Sequence, residues 1–303
     1  MRKTGLNTIY ECAKEDKNIV FIGSDLGPGT LDNFKEEMPS QFFMEGISEA
    51  HVISMAAGMA MEGDRVYVNT IASFLTRRSL EQVALDICAE NLNVTIYGNG
   101  GGLVYGPLGH SHTAVDDFAL LAALPNLVVL APADANEMKE FIKQSATYEG
   151  PIYIRLGKGG DPLVTEKKDI KIGEPLYYEK NPDSNNLIIT TGIMLQRSLD
   201  MAKELDVNIL HYSTVKPFNT KLLLEHVNKS TNIVVIEEHL KNGGIGTSVC
   251  QELIESSISP KSFHHFHLGT EYIDQYGRQE EIFEYLELTP EKMINVLRDK
   301  WGL

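Results

Sequence analysis

With 303 residues the chain has room for two hydrophobic cores, and its 43% hydrophobic and 23% charged residues are those of a globular protein, neither disordered nor collagen-like. Lys and Arg number 27 against 42 Asp and Glu, and the formal charge of −15 speaks against nucleic acid and membrane surfaces as partners while leaving open a local basic pocket for a small phosphorylated substrate. Cys12, Cys88 and Cys250 stand far apart without a CxxC, so neither a disulfide framework nor a zinc site is read and no metal ligands are assigned. Residues 1–7 lack the apolar run of an export signal, and a cytoplasmic location is expected.

Short β-rich runs alternate with amphipathic helices. Residues 18–23 read as a strand, 48–61 as a helix with Val52, Ile53, Ala56, Ala57 and Ala60 on its apolar side, and 65–70 as the next strand. A helix over 79–91 leads to a strand at 94–97, a helix over 116–124 to a strand at 127–130, and a helix over 136–147 to a strand at 152–154. Such alternation predicts a parallel sheet covered on both faces. From Lys158 to about Asn185 the pattern lapses into Gly, Pro, Asp and Lys. It then resumes with strands at 187–190, 207–210 and 233–236, helices over 195–205, 221–227 and 247–256, and a last helix over 290–301 capped by Thr289. The expected fold is therefore α/β, two consecutive parallel-sheet domains over 1–164 and 186–303 joined by a linker over 165–185.

Ligands of open parallel sheets sit beyond the carboxyl ends of the strands. The stretches 25–30, 46–51, 73–77 and the glycine-rich 98–112 fall there, while Rossmann and Walker A fingerprints are missing. Ser48 is placed to cap the helix, and Glu49 in its first turn is either a chemical group or a carboxylate that complements the helix dipole. Taken by themselves, Phe74 reads as core packing, His112 as a solvated loop side chain and Asp25 as a turn cap.

The ordered strings Gly46-Ile47-Ser48-Glu49-Ala50-His51, Ser73-Phe74-Leu75-Thr76-Arg77, Gly102-Leu103-Val104-Tyr105-Gly106-Pro107, Ser111-His112, Tyr153-Ile154-Arg155-Leu156-Gly157-Lys158 and Glu237-Glu238-His239 weigh between these readings. Together they resemble the pyrimidine-binding and C-terminal domains of the transketolase family, which is also similar to deoxyxylulose-phosphate synthase. The resemblance implies thiamine diphosphate as cofactor, with Glu49 hydrogen-bonded to a ring nitrogen of its aminopyrimidine. A proton donated there favours the imino tautomer of the exocyclic amine, whose nitrogen then takes the thiazolium proton. It also implies that Phe74 walls the pyrimidine, Asp25 lies near the thiazolium, Arg77 meets an anionic group of cofactor or substrate, and His112 donates to substrate or shuttles protons.

The family's Gly-Asp-Gly segment with its downstream Asn, which binds diphosphate and a divalent metal such as Mg, does not occur in the sequence. The expectation is a separate N-terminal diphosphate-binding subunit that completes both sites, with self-association giving a heterotetramer. Arg2 and Lys158 coincide with positions that reach a sugar phosphate, although Lys158 replaces an arginine and loses its bidentate fork. Gly29 and Gly100 replace further substrate-contacting residues. The implied activity is two-carbon ketol transfer between sugar substrates by the smaller subunit of a two-subunit transketolase. The alternatives are the beta subunit of a 2-oxo acid dehydrogenase first component and a non-catalytic regulatory subunit.

Overall fold

Alternate residues of the first strands are apolar on both sides, and that pattern dictates a sheet sandwiched between helices. In the computed structural model, which describes residues 1–24, 30–157, 160, 162–166, 168–227 and 232–301, this is how the strands are used. Val20 and Ile22 join Val52, Ile53, Val66 and Val68 in one core. Ile19 and Phe21, one residue out of phase, join Ile9, Phe34, Tyr67 and Phe141 in another. Each such aliphatic side chain taken fully from water contributes roughly 1.5–3 kcal/mol before entropy is counted.

The first half runs α1 (Arg2–Glu15), β1 (Ile19–Gly23), α2 (Asp32–Glu37), β2 (Phe42–Met44), α3 (Glu49–Met61) and β3 (Arg65–Ile71). A π-helical segment Phe74–Arg78, the single turn α4 (Leu80–Gln82) and a second π-helical segment Val83–Cys88 follow. Then come β4 (Val94–Asn99), α5 (Asp117–Ala122), β5 (Val128–Leu130), α6 (Ala135–Ser145) and β6 (Ile152–Leu156). The second half contains β7 (Leu176–Tyr178), β8 (Asn186–Thr190), α7 (Met194–Glu204), β9 (Asn208–His211), β10 (Thr214–Lys216) and α8 (Thr220–Val227). It ends with β11 (Asn232–Ile236), α9 (Ile245–Glu255), β12 (Ser262–Phe266), α10 (Gln279–Tyr285) and α11 (Pro290–Trp301).

Among the described residues the strands form a seven-stranded sheet in the order β10-β5-β6-β4-β3-β1-β2 and a five-stranded sheet in the order β12-β11-β8-β9-β7. Both are parallel except at one edge, where β10 pairs antiparallel with β5 and β7 with β9. Strand β10 belongs to the second half of the chain yet closes the first sheet, so the two halves share a sheet as well as a core. Leu187, Ile189, Leu210, Ile233 and Val235 continue the core that begins at Val20, while Ile188, Ile209, Val234 and Ile236 face α7 and α11 on the other side.

The helix over 79–91 expected from periodicity is π-helical over most of its described length, a geometry that periodicity does not distinguish from α. Within the stretch 165–185, Thr165 is bonded through both its N–H and its hydroxyl to Asp134, at 2.8 and 2.7 Å. The same carboxylate caps α6 by accepting from the N–H groups of Asn136 and Glu137 at 2.9 and 3.1 Å, so one side chain fixes a helix start and the chain leaving the first sheet. Ser48 stands at the N-cap of α3, but its hydroxyl turns to the Gly46 carbonyl oxygen at 3.3 Å instead of capping the helix. Among the described residues, no helix is long and apolar enough to cross a membrane.

Candidate active site

Strands β2, β1, β3 and β4 are neighbours, so the loops leaving their carboxyl ends are brought side by side. At the ends of β3 and β4, Asn69 and Asn99 exchange amide hydrogen bonds of 3.2 and 3.1 Å, which ties the two loop origins together. Beyond β2, the turn at Gly46–Ser48 starts α3 and puts Glu49 in its first turn, with 1% of its side chain exposed. Beyond β3, the π-helical segment begins with Phe74 and ends with Arg77 and Arg78. Beyond β4, the chain turns through Gly100 and Gly102 to reach His112.

Those two glycines have φ of +72° and +62° and no room for a side chain. A Cβ at Gly100 would lie 2.0 Å from the Tyr105 ring, and one at Gly102 would lie 2.1 Å from the carboxyl carbon of Glu238. Either substitution would meet both backbone strain and a steric clash.

Glu49, Phe74 and His112 are brought together. The Arg78 guanidinium donates from Nη1 to Glu49 Oε2 at 2.6 Å and lies 4.4 Å over the Phe74 ring. The other side of this group is His112, whose ring meets Phe74 at 5.1 Å and 68° and Tyr105 at 6.5 Å and 87°. Ser111 Oγ and His112 Nδ1 share a 2.8 Å hydrogen bond, and Ser73 Oγ donates to the Ser111 carbonyl oxygen at 2.9 Å, so the loop is held from the end of β3.

Arg77, expected at a cofactor or substrate anion, has its guanidinium engaged within the protein. Nε and Nη2 donate to Asp116 at 3.0 and 2.8 Å, and Nη1 donates to the His110 carbonyl oxygen at 2.8 Å. It anchors the His110–His112 turn to the start of α5.

Arg2 makes none of these contacts. It lines a cleft of about 330 Å³ with Lys3, Leu6, Asn7, Thr30 and Leu31, and its Nε is buried without a partner among the described residues. Met1 Cε lies 2.8 Å from where a Cβ on Gly157 would be, so the start of α1 adjoins the end of β6. Asp25 and Lys158 lie outside the described residues.

Two features have no signal in the sequence motifs. One is Arg78 itself, since Arg77 is the arginine that matches a motif. The other is a buried ionic network beneath the glycine-rich turn. Arg155 donates to Asp117 at 2.5 and 2.9 Å, to the Ala114 carbonyl oxygen at 2.8 Å and to the Glu238 carbonyl oxygen at 2.9 Å, and lies 3.9 Å over the Phe118 ring. Tyr153 donates to Asp117 at 2.7 Å, and Glu238 accepts from the Leu103 N–H at 2.8 Å and from Gln279 at 2.6 Å.

Burial alone would lower the Arg155 pKa, but the Asp117 carboxylate outweighs it and holds the guanidinium above its ordinary value. Burial pushes the Glu238 carboxyl upward, against the opposing pull of Arg155 and the Leu103 N–H. The network joins the end of β6, the start of α5, the chain after β11 and the start of α10. It locks the glycine-rich turn, and so the approach to His112, to the second sheet.

At the carboxyl edge of the first sheet, then, a buried carboxylate at the start of a helix, an arginine, an aromatic ring and a histidine lie in one connected group. Among the described residues, no group of three or more His, Cys, Asp or Glu side chains gathers that could hold a metal ion. Residues 1–160 match the family model described as the transketolase pyrimidine-binding domain, and residues 178–293 match that of the transketolase C-terminal domain. The chain belongs to the transketolase family.

Particular relatives refine that placement. The chain is 31% identical over 277 residues to one subunit of the apulose-4-phosphate transketolase of Phocaeicola vulgatus, covering 85% of this chain and 84% of that one. It is 34% identical over 254 residues to the 1-deoxy-D-xylulose-5-phosphate synthase of Clostridium perfringens, covering 82% of this chain but 41% of the longer enzyme. Among solved structures, a split-gene transketolase described as an inactive β4 tetramer superposes with a TM-score of 0.85 at 27% identity, over 98% of this chain and 96% of that one. A transketolase from Pichia stipitis shares the fold, with a TM-score of 0.79 at 18% identity, over 98% of this chain and 45% of that one.

Proposed function

We propose that this chain is the smaller subunit of a two-subunit, thiamine diphosphate-dependent transketolase, transferring a two-carbon ketol unit between sugar substrates. The observation that carries the reading is Glu49, a carboxylate buried at the start of α3 and bridged to the Phe74 face by Arg78. A buried carboxylate and an aromatic face are what an aminopyrimidine requires, and the residues present fit that half of the cofactor. When bound, the cofactor supplies a nucleophilic carbon and an electron sink for breaking the bond beside a carbonyl.

This chain's residues supply the rest. Glu49 holds and returns the proton at the pyrimidine ring nitrogen, and Phe74 fixes the plane of that ring. In the tautomer in which His112 Nδ1 accepts from the Ser111 hydroxyl, the Nε2–H of His112 is a donor for a substrate oxygen. Arg77 and Asp116 hold the turn that carries His112. Arg2 and Lys158 are assigned to a phosphate of the sugar substrate, and Asp25 to the thiazolium side of the cofactor.

The diphosphate and its divalent metal, such as Mg, are assigned to a separate chain that carries Gly-Asp-Gly. A relative named as one subunit of a transketolase and a split-gene relative described as inactive in its β4 form support this division. Two chains of each kind would make a heterotetramer, in keeping with closed symmetry.

Calorimetric titration of thiamine diphosphate with Mg tests the assignment. The chain alone is expected to bind weakly, and the mixture with the diphosphate-binding subunit tightly and only with metal present. Tight metal-dependent binding by this chain alone would refute the division.

A further inference from the structure

We propose that Arg78 is a built-in placeholder for the aminopyrimidine, and that the cofactor enters by displacing it. The inference rests on the reading of Glu49 and Phe74 as the seat of that ring. The Arg78 guanidinium is flat, rich in N–H donors and able to lie against an aromatic face while bonding a carboxylate. It makes both kinds of contact at once, at 2.6 Å to Glu49 Oε2 and 4.4 Å over the Phe74 ring. An aminopyrimidine that bonds Glu49 and stacks on Phe74 needs the same two partners, so the two groups compete.

The physical reason for such a group is charge. With 1% of its side chain exposed, Glu49 is as buried as the apolar core, and an ionised carboxylate there without a cation is strongly disfavoured. Arg78 supplies the cation, so the chain can fold before any cofactor arrives. The same side chain has 51% of its surface exposed, so its head can return to water with little to disrupt. Its neighbour Arg77 cannot exchange roles with it, because Asp116 and the His110 carbonyl oxygen hold that guanidinium. Two consecutive arginines at the end of one π-helical segment thus divide the work, one fixing the His112 loop and one covering Glu49.

Competition of this kind lowers apparent affinity by the fraction of molecules in which the seat is open. Arg78→Met keeps the apolar stem and removes the competing charge. If the seat is open in about a tenth of molecules, that variant binds roughly tenfold more tightly. Arg78→Lys keeps the charge but not the flat face, and should fall between the two.

Thiamine diphosphate with Mg is titrated calorimetrically into the complex with the diphosphate-binding subunit, using wild type, Arg78→Met and Arg78→Lys. In parallel, thermal unfolding of the cofactor-free chain is followed for Arg78→Met, Glu49→Gln and the double variant. Tighter binding by Arg78→Met, with a lowered unfolding midpoint that Glu49→Gln abolishes, supports the inference. Equal or weaker binding by Arg78→Met when wild type binds overturns it, as does an unfolding midpoint that Arg78→Met leaves unmoved. A wild-type complex that binds no thiamine diphosphate removes the cofactor reading, and the inference with it. The unfolding experiment still tells whether the Arg78–Glu49 pair exists.

Discussion

Glu49→Gln, assayed in the complex with the diphosphate-binding subunit, is expected to lower the rate of ketol transfer by about 10²–10⁴-fold. The side chain keeps its shape and can still accept a hydrogen bond, so the loss belongs to the proton and not to the fold. On the proposed reading Glu49 would exchange a proton with the pyrimidine ring nitrogen, which a neutral amide cannot do. Cofactor affinity is expected to change far less than turnover, because the substitution leaves untouched both Phe74 and the diphosphate contacts proposed for the second subunit. Steady-state kinetics beside calorimetry separates the two. Unchanged turnover would remove Glu49 from the chemistry and leave its place in the first turn of α3 as a matter of the helix dipole.

The largest effect on stability is expected at Arg155. Its guanidinium is the cation between Asp117, 0% exposed, and Glu238, 4% exposed, and its removal leaves a buried carboxylate without a counter-charge. Breaking a buried pair from one side costs about 3–5 kcal/mol. Arg155→Met should therefore lower the thermal midpoint by on the order of 10 °C in a chain of this size. Because the network ties the glycine-rich turn to α10 and to the chain after β11, the same variant should expose that turn to protease before global unfolding. A midpoint within a degree of wild type would mean that Asp117 and Glu238 find other partners, and that the network does not lock the halves.

Much of this architecture is legible without coordinates, because it follows from periodicity. The alternation of Ile19, Val20, Phe21 and Ile22 between two cores, and the apolar face of Val52, Ile53, Ala56 and Ala57, are local patterns that a two-faced sheet and its covering helix impose. What was not legible is long-range. Strand β10 has three residues and gains its identity by pairing with β5, more than eighty positions earlier, where Thr214 meets Leu130. Helix α1 carries Leu6, Ile9 and Ala13 on its buried side, but Gly5 and threonines interrupt the pattern, so its periodicity is weak.

At the candidate site, the residues that match a motif and the residues that the fold gathers around Glu49 overlap only in part. Glu49, Phe74 and His112 fall together as their strand-end positions imply. Arg77 and Arg78 are adjacent and chemically alike, and nothing in their spacing says which one turns toward Glu49. That choice is made by the π-helical course of the chain and by Asp116, which captures the first of the two. Arg155 and Glu238 were visible as members of family strings, but their bond crosses from one half of the chain to the other and leaves no local signature.

On the proposed division of labour, this chain contributes the proton-handling half of a cofactor site whose other half lies on a second subunit. Exchange of the thiazolium C2 proton of thiamine diphosphate for deuterium, followed by quenched NMR, tests it most directly. Fast exchange is expected when wild-type chain and diphosphate-binding subunit are mixed, and slow exchange with either alone or with the Glu49→Gln complex. Fast exchange with the diphosphate-binding subunit alone, or an undiminished rate in the Glu49→Gln complex, would contradict it.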